Sequence, residues 1–136
     1  MLAGPHDAAL SRRVEERGLG AIVTFAGVLP HADARALQRA ADRLLFVRNE
    51  GPGYEAMVPG KTYEYLDARR PVVAMVAPGE AADLLTEGGA RVFGPAQGDD
   101  ALKALLAPAA PTPNLEAIDR LLAPRSRKTL AGKLAR

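Results

Sequence analysis

The sequence contains no cysteine and no tryptophan, and aromatic residues make up only 4% of its 136 positions. Without cysteine, disulfides and thiolate metal sites are excluded. The shortage of aromatic side chains leaves few surfaces on which single-stranded bases can stack. Neither sign of charge dominates, since 18 basic and 16 acidic residues give a net charge of +2. Nucleic acid is therefore not an expected partner.

Long hydrophobic runs are also missing. No segment approaches the roughly 20 apolar residues of a membrane span, and the chain does not open with a basic stretch followed by an apolar run. A cytoplasmic protein is therefore expected. The two histidines, His6 and His31, each follow a proline, and no carboxylate lies at a metal-binding spacing from them, so no metal site is predicted.

What the sequence does contain is an alternation of short apolar runs with helix-like segments. Runs rich in β-branched residues predict strands at 22–25, 44–47, 72–76 and 91–93, with 1–3 as a further stub. Helical spacing follows Asp7, Asp33, Gly79 and Asp99, and both Asp7 and Asp99 are predicted to cap a helix. Apolar strands separated by helix-sized connections are typical of a parallel sheet covered on both faces. The sequence therefore predicts a doubly wound α/β domain.

In a sheet of this kind, ligands bind outside the carboxyl ends of the strands, where helix N-termini point their free N–H groups. The loops expected at that edge are 27–31, 48–60, 77–80 and 94–98. A functional site is therefore predicted there.

The chain changes character after residue 107. Residues 108–114 contain Pro108, Pro111 and Pro113, which predict a stiff, extended connector. Residues 115–136 predict two C-terminal helices separated by Pro124. Packing of their leucines on the domain is favoured over a peripheral contact of the basic tail with the inner face of a membrane. Leucines left exposed would favour self-association.

The tripeptide Gly60-Lys61-Thr62 has the ending of a phosphate-binding P-loop. That loop requires a glycine five residues before Gly60, and Glu55 stands there instead. The tripeptide is therefore interpreted as the start of a helix on which Lys61, Glu64 and Tyr65 share one face. A lysine at a helix N-terminus favours an anion, and a carboxylate nearby suits a diol such as a ribose. The alternative is an ordinary surface ion pair between Lys61 and Glu64.

The same region resembles a known family. Residues 59–66 (PGKTYEYL), 70–74 (RPVVA) and 80–85 (EAADLL) with the pair at 88–89 (GG) resemble the family pattern P-x-K-x-x-E-Y-L, x-P-V-[VL]-A and E-x-A-x-L-[IL] followed by G. Upstream, 19–28 resembles its first glycine-ended strand and 40–45 its A-D-x-x-L segment. The pattern is that of the C-terminal, donor-binding domain of GT-B glycosyltransferases of the family 4, or group 1, type. The motifs occur in the family's order from about residue 2 to residue 106.

The resemblance implies a Rossmann-like three-layer domain with a mostly parallel sheet over 1–107, which is half of a GT-B enzyme, followed by the connector 108–114 and the helices 115–136. It implies a nucleotide-diphosphate-sugar as substrate and no cofactor. Glu64 would bind the ribose, Lys61 would lie near the ribose or diphosphate, and Tyr65 would pack behind them. Thr62 belongs to the same implied set of nucleotide-binding residues. The remaining implied contacts are the base loop Gly27, Val28 and Leu29 and the diphosphate and donor-sugar loop Gly53, Tyr54, Glu55 and Gly60.

Two departures from the family affect the expected activity. Ala56 stands where the family's E-x7-E motif has its first glutamate, with Glu55 beside it. The acceptor-binding N-terminal domain and the first strand and helix of the donor domain have no counterpart. The expectation is a donor half that is a fragment or split subunit, inactive until it is joined to an N-terminal domain or partner chain, with no catalytic residue assigned. The alternatives are a non-catalytic α/β interaction module derived from such an enzyme, and an unrelated flavodoxin-like domain.

Overall fold

The computed structural model describes residues 1–48, 51 and 57–125, and it shows an α/β chain. Its elements, in chain order, are β1 Leu2–Ala3, α1 Ala8–Glu16, β2 Phe25–Gly27, α2 His31–Ala40, β3 Leu44–Val47, α3 Gly60–Asp67, β4 Val72–Met75, α4 Glu80–Glu87, β5 Arg91–Phe93, α5 Gly98–Leu106 and α6 Leu115–Leu122, with a final 3-10 turn at Ala123–Arg125. Every strand pair is parallel. The predicted α/β class with parallel strands is therefore confirmed, although both sheets are small.

The chain divides into two compact units, Met1–Leu37 and Gln38–Arg136. In the first unit, β1 and β2 form a two-stranded parallel sheet, with Leu2 opposite Phe25. Helix α1 begins as predicted, because the Asp7 carboxylate accepts a hydrogen bond of 2.7 Å from the backbone N–H of Leu10. Val14 is the buried residue of this helix.

The second strand begins later than the sequence predicts. Ile22 and Val23 both donate their backbone N–H groups to the carbonyl of Leu19, at 3.0 and 2.9 Å. These turn bonds use N–H groups that a strand would need for its ladder. The Ile22 side chain is also 74% exposed. β2 therefore occupies Phe25–Gly27, and the predicted strand at 22–25 is wrong in its first three residues.

In the second unit, β3, β4 and β5 form a parallel sheet in that order. Its two faces carry separate cores. One core contains Leu44 and Phe46 of β3 with Leu66 of α3, Leu85 of α4 and Ile118 of α6. The other lies beneath α5, and its members are Val73, Ala101 and Ala104 with Met75, Phe93 and Leu105 packed against them. Helices thus cover both faces of β4, which explains why its sequence is apolar without alternation.

The N-terminus of α5 differs from the prediction. The Gln97 side chain accepts a hydrogen bond of 2.8 Å from the N–H of Gly94, and the Gln97 N–H bonds to the Gly94 carbonyl at 3.0 Å. This closed turn starts the helix at Gly98, with Gln97 at the cap position. Asp99 is therefore not the N-cap but lies in the first turn, where its charge still favours the helix dipole.

Within the second unit, the connector and α6 pack on the preceding helices and the sheet. Residues 107–114 contain no helix or strand, as predicted. Their path passes close to Gly89, whose φ is +87°; a Cβ there would lie 2.4 Å from the Thr112 carbonyl oxygen. Ala117 and Ile118 are buried, and Leu121 and Leu122 pack against the core. The predicted packing of these leucines on the domain is confirmed for α6, whereas the second predicted helix, at 128–134, lies outside the described residues.

Candidate functional site

The carboxyl ends of three strands lie along one edge of the larger sheet. The register pairs Val47 with Met75 and Met75 with Phe93, so the loops that follow β3, β4 and β5 all leave from this edge. The helices α3, α4 and α5 begin after these loops. The first N–H groups of an α-helix generally lack intrahelical partners, which makes the edge the expected place for a ligand. In α3 the Thr62 N–H already bonds to the Pro59 carbonyl at 2.9 Å.

The first turns of these helices carry different charges. Helix α4 has Glu80 and Asp83 there, and α5 has Asp99 and Asp100. Helix α3 has no acidic residue in its first turn, and its cap residue, Pro59, makes no side-chain hydrogen bond to the helix. Lys61 is the second residue of α3, so among the described residues a positive charge lies at a helix N-terminus whose dipole no first-turn acid neutralises. Of the three N-termini, that of α3 is the one suited to an anion.

The Lys61 ammonium lies over an aromatic ring. Its Nζ is 5.5 Å from the centre of the Tyr65 ring, one helical turn further along α3. Within the part of the chain that the structure describes, Lys61 makes no ion pair with Glu64, in contrast to the surface pair that the spacing allowed. A cation–π contact contributes about 0.5–1 kcal/mol at an exposed site. This contact favours a position of the exposed lysine over the Tyr65 ring without neutralising its charge.

Glu64 is half-buried on the same helix. The Gln38 amide, at the end of α2, donates a hydrogen bond of 3.4 Å to Glu64 Oε2. This bond is long and correspondingly weak. Gln38 joins the site only through tertiary structure, since its 26-residue separation from Glu64 gives no signal in the sequence.

Tyr65 and Thr62 face the interior of the second unit. The Tyr65 ring packs edge-to-face on Phe46, with ring centres 6.0 Å apart, and its implied role behind a bound nucleotide stays a prediction. Thr62 is completely buried, and its hydroxyl has no hydrogen-bond partner among the described residues. Its side chain is part of the packed layer between α3 and the sheet, so a ligand contact of Thr62 stays a prediction.

The other candidate residues fall into two groups. Gly60 is the exposed first residue of α3. Gly27, Val28 and Leu29 belong to the first unit; Gly27 ends β2 with a φ of +67°, Val28 is 77% exposed and Leu29 is half-buried. Gly53, Tyr54 and Glu55, together with Ala56, lie outside the described residues.

A concave surface lies between β5 and α5, and neither Lys61 nor Glu64 lines it. It is an open depression of about 420 Å³ lined by Arg91, Phe93, Asp100, Lys103, Ala104 and Ala107. Lys103 is paired with Asp100 at 3.6 Å, and the Arg91 guanidinium lies 5.7 Å from the centre of the Phe93 ring. Asp100, which lines this depression, pairs with Lys103, whereas the first turn of α3 has no acidic residue. The depression is therefore less suited to an anion than the α3 N-terminus.

Neither metal-binding clusters nor membrane-spanning helices occur in residues 1–48, 51 and 57–125. No group of three or more histidine or acidic side chains is arranged to hold a metal ion there. No helix in the same residues is long and apolar enough to cross a membrane.

Comparison with known proteins identifies no relative. No protein-family model, curated protein or solved structure matches the chain.

Proposed function

We propose that this chain is the donor-binding half of a glycosyltransferase of the GT-B type, and that it binds the nucleoside diphosphate part of a nucleotide sugar at the N-terminus of α3. Lys61 and the first N–H groups of α3 would bind the diphosphate, and the Glu64 carboxylate would accept hydrogen bonds from the ribose hydroxyls. The chain would require an N-terminal acceptor domain or partner chain for sugar transfer.

One observation carries this proposal. Lys61 and Glu64 lie one turn apart on a helix whose first turn has no acid, and Lys61 is not neutralised by Glu64. An anion and a diol that are joined in one ligand would contact both residues at once. The sheet order β3-β4-β5 with intervening helices also fits strands 4-5-6 of a doubly wound domain, whose ligands bind at this edge.

In the proposed complex the protein acts by electrostatics. The departing diphosphate gains negative charge as the bond to the sugar breaks, and a preorganised helix N-terminus with a lysine stabilises that charge. Glu64 would orient the nucleotide through its ribose. The Gln38 amide would add a weak hydrogen bond to the Glu64 carboxylate.

A thermal-shift titration with UDP, GDP, ADP, CMP and dTDP tests the proposal. Ligand at ten times its dissociation constant stabilises the folded state by about 1.4 kcal/mol, which raises Tm on the order of 4 °C for a domain of this size. We expect one diphosphate to give such a shift. Replacing Glu64→Ala removes a charged hydrogen-bond partner and should weaken binding about 10- to 100-fold without lowering the Tm of the free protein appreciably.

Glu116→Ala is the matched control, because Glu116 is an exposed acid in the first turn of another helix, α6. It should leave the diphosphate-induced shift unchanged. The proposal is wrong if no diphosphate shifts Tm at millimolar concentration, or if the shift is the same in the Glu64→Ala protein.

A non-catalytic α/β interaction module is the second candidate. It is favoured by a different observation, the exposed apolar side chains Leu45 and Val47 on β3. This candidate predicts no diphosphate binding and no effect of Glu64→Ala on any ligand, so the same titration separates the two functions.

A further inference from the structure

The strand β3 has an open edge. Within residues 1–48, 51 and 57–125, β4 is the one strand paired with it. Leu44 N–H donates to the Pro71 carbonyl at 2.9 Å and Arg48 N–H to the Met75 carbonyl at 3.2 Å. Backbone groups alternate in direction along a strand, so the N–H and C=O groups of Leu45 and Val47 point away from β4. They form a ready template for a further strand.

The side chains of the same two residues are uncovered. Leu44 and Phe46 are 7% and 1% exposed in the core beneath α3, whereas Leu45 and Val47 are 39% and 54% exposed. The register places Leu45 beside Val73, which is fully buried beneath α5. Helix α5 therefore covers this face of the sheet over β4 and leaves it open over β3.

These two features together specify the occupant. A second copy that paired its own β3 with this edge would satisfy the backbone groups but would bring another uncovered Leu45 and Val47. Strand pairing along an edge of only four residues buries far less surface than the roughly 1,600 Å² of a stable interface. The occupant must therefore cover the apolar face as well. A strand followed by a helix satisfies the edge with the strand and covers the apolar face with the helix. Parallel sheets are covered in this way on both faces.

The handedness of the fold selects the same arrangement. Helices α3 and α4 connect β3 to β4 and β4 to β5, and they pack on the face of Leu44 and Phe46. Connections between parallel strands are right-handed in nearly all proteins. A strand on the other side of β3 whose connection runs away from β4 would therefore place its helix on the opposite face, over Leu45 and Val47.

We propose that the open edge of β3, with Leu45 and Val47, is the docking surface for a partner polypeptide that supplies an apolar β-strand parallel to β3 and a helix after it. The connection after the docked strand would run away from β3, whereas the connection after β3 runs toward β4. Ligand crevices form between neighbouring strands whose connections diverge in this way. That last step, which brings the docked strand to the edge of the Lys61 site, rests on the proposed function; the docking surface itself does not.

Residue-resolved amide exchange with two synthetic peptides tests the proposal. One peptide has the strand sequence Lys-Val-Ile-Val-Val-Lys, and the other extends this strand by a Gly-Ser turn and an amphipathic Leu/Glu/Lys helix. We expect both to slow exchange of the Leu45 and Val47 amides, by about tenfold or more with the longer peptide. The Phe46 amide, which already faces β4, should not change. The longer peptide should bind more tightly, because its helix covers the exposed side chains.

Matched controls separate docking from general stickiness. A strand peptide with alternate valines replaced by proline cannot complete the ladder and should have no effect. Val47→Lys should abolish the difference in affinity between the two peptides, whereas Leu102→Lys, at a 53% exposed leucine on α5, should preserve it.

The proposal is overturned if neither amide slows, if the peptides protect β5 instead, or if the two amides slow with protein concentration alone, which would identify a second copy as the occupant. The Glu64→Ala protein is measured in parallel. Peptide docking without a diphosphate-induced Tm shift would defeat only the proposed function, and a diphosphate shift without docking would defeat only this inference.

Discussion

At the scale of single residues, Arg43 joins the start of β3 to the end of α5. Its guanidinium donates to the carbonyl oxygens of Leu105, Pro108 and Ala104 at 2.6, 3.2 and 3.4 Å. Carbonyls at a helix end have no further N–H to accept from, and Pro108 has no N–H to offer them. A cation there is also favoured by the helix dipole. The sequence marks Arg43 only as part of the segment before a strand, so this capping role was not predicted.

Arg43→Ala should lower the free energy of unfolding by about 1–3 kcal/mol, because it removes a charged donor from partly buried carbonyls. Urea denaturation measures the change. Arg43→Met keeps the apolar stem and should show most of the same loss, which assigns it to the lost hydrogen bonds. Lys103→Ala, which removes a surface pair with Asp100, should change stability by less than about 0.5 kcal/mol. An Arg43→Ala effect as small as that of Lys103→Ala would contradict the capping role.

At the scale of elements, α6 shows how a helix that follows the connector is fixed to the rest of the second unit. The Asn114 side chain caps it by accepting from the Ala117 N–H at 3.2 Å. Arg69 pairs with Asp119 on α6, and Arg120 of α6 bonds Glu87 of α4 at 2.6 Å. The hydrogen bond to the Glu87 carboxylate raises the pKa of Arg120, which stays charged at all working pH values. These exposed pairs contribute little, so burial of Ile118 should dominate the docking energy.

Ile118→Ala should destabilise the protein by about 2–4 kcal/mol, the usual cost of truncating a fully buried aliphatic side chain. Leu115→Ala, on the same helix but at a 50% exposed position, should cost less than about 1 kcal/mol. Thermal or urea unfolding of the two variants gives the comparison. Equal, small effects would mean that α6 does not stabilise the core. Self-association through the C-terminal helices stays a prediction, with the apolar residues of α6 other than Leu115 turned toward the core.

The same scale shows which local signals were reliable. The runs at 44–47 and 91–93 and the Asp7 cap occur as predicted, because burial and capping there agree with local propensity. The strand predicted from Ile22 onward was wrong at its start, because a β-branched residue fits a strand but the Ile22 N–H is used in a turn. The N-cap predicted at Asp99 was wrong because the side chain of Gln97, two residues earlier, closes the preceding turn. Both errors arise from hydrogen bonds that a hydrophobic pattern does not encode.

At the scale of the whole molecule, the buried core is distributed unevenly. Of the buried hydrophobic residues in the described part of the chain, only Val14 lies in the unit Met1–Leu37. All the others lie in Gln38–Arg136, where two cores enclose β4. Little apolar burial leaves little free energy to oppose local opening. The first unit should therefore open more easily than the second.

Native-state hydrogen exchange tests this difference. The amides of β4 that pair in the sheet should exchange slowest and approach the free energy of global unfolding. Amides of α1 and β2 should exchange at least about tenfold faster in matched hydrogen-bonded positions, because only a small core must open. Equal protection of both units would show that they unfold as one cooperative body.

The sequence by itself determined the α/β class, the parallel strands, the positions of most helices and the choice of α3 as the candidate binding helix. These follow from periodicity, strand length and residue spacing, which act over short distances along the chain. Tertiary structure decided that Gln38 reaches Glu64 and that Leu45 and Val47 remain uncovered. Each of these depends on which elements come together across tens of residues, and contacts of that range are set by the packing of the whole chain.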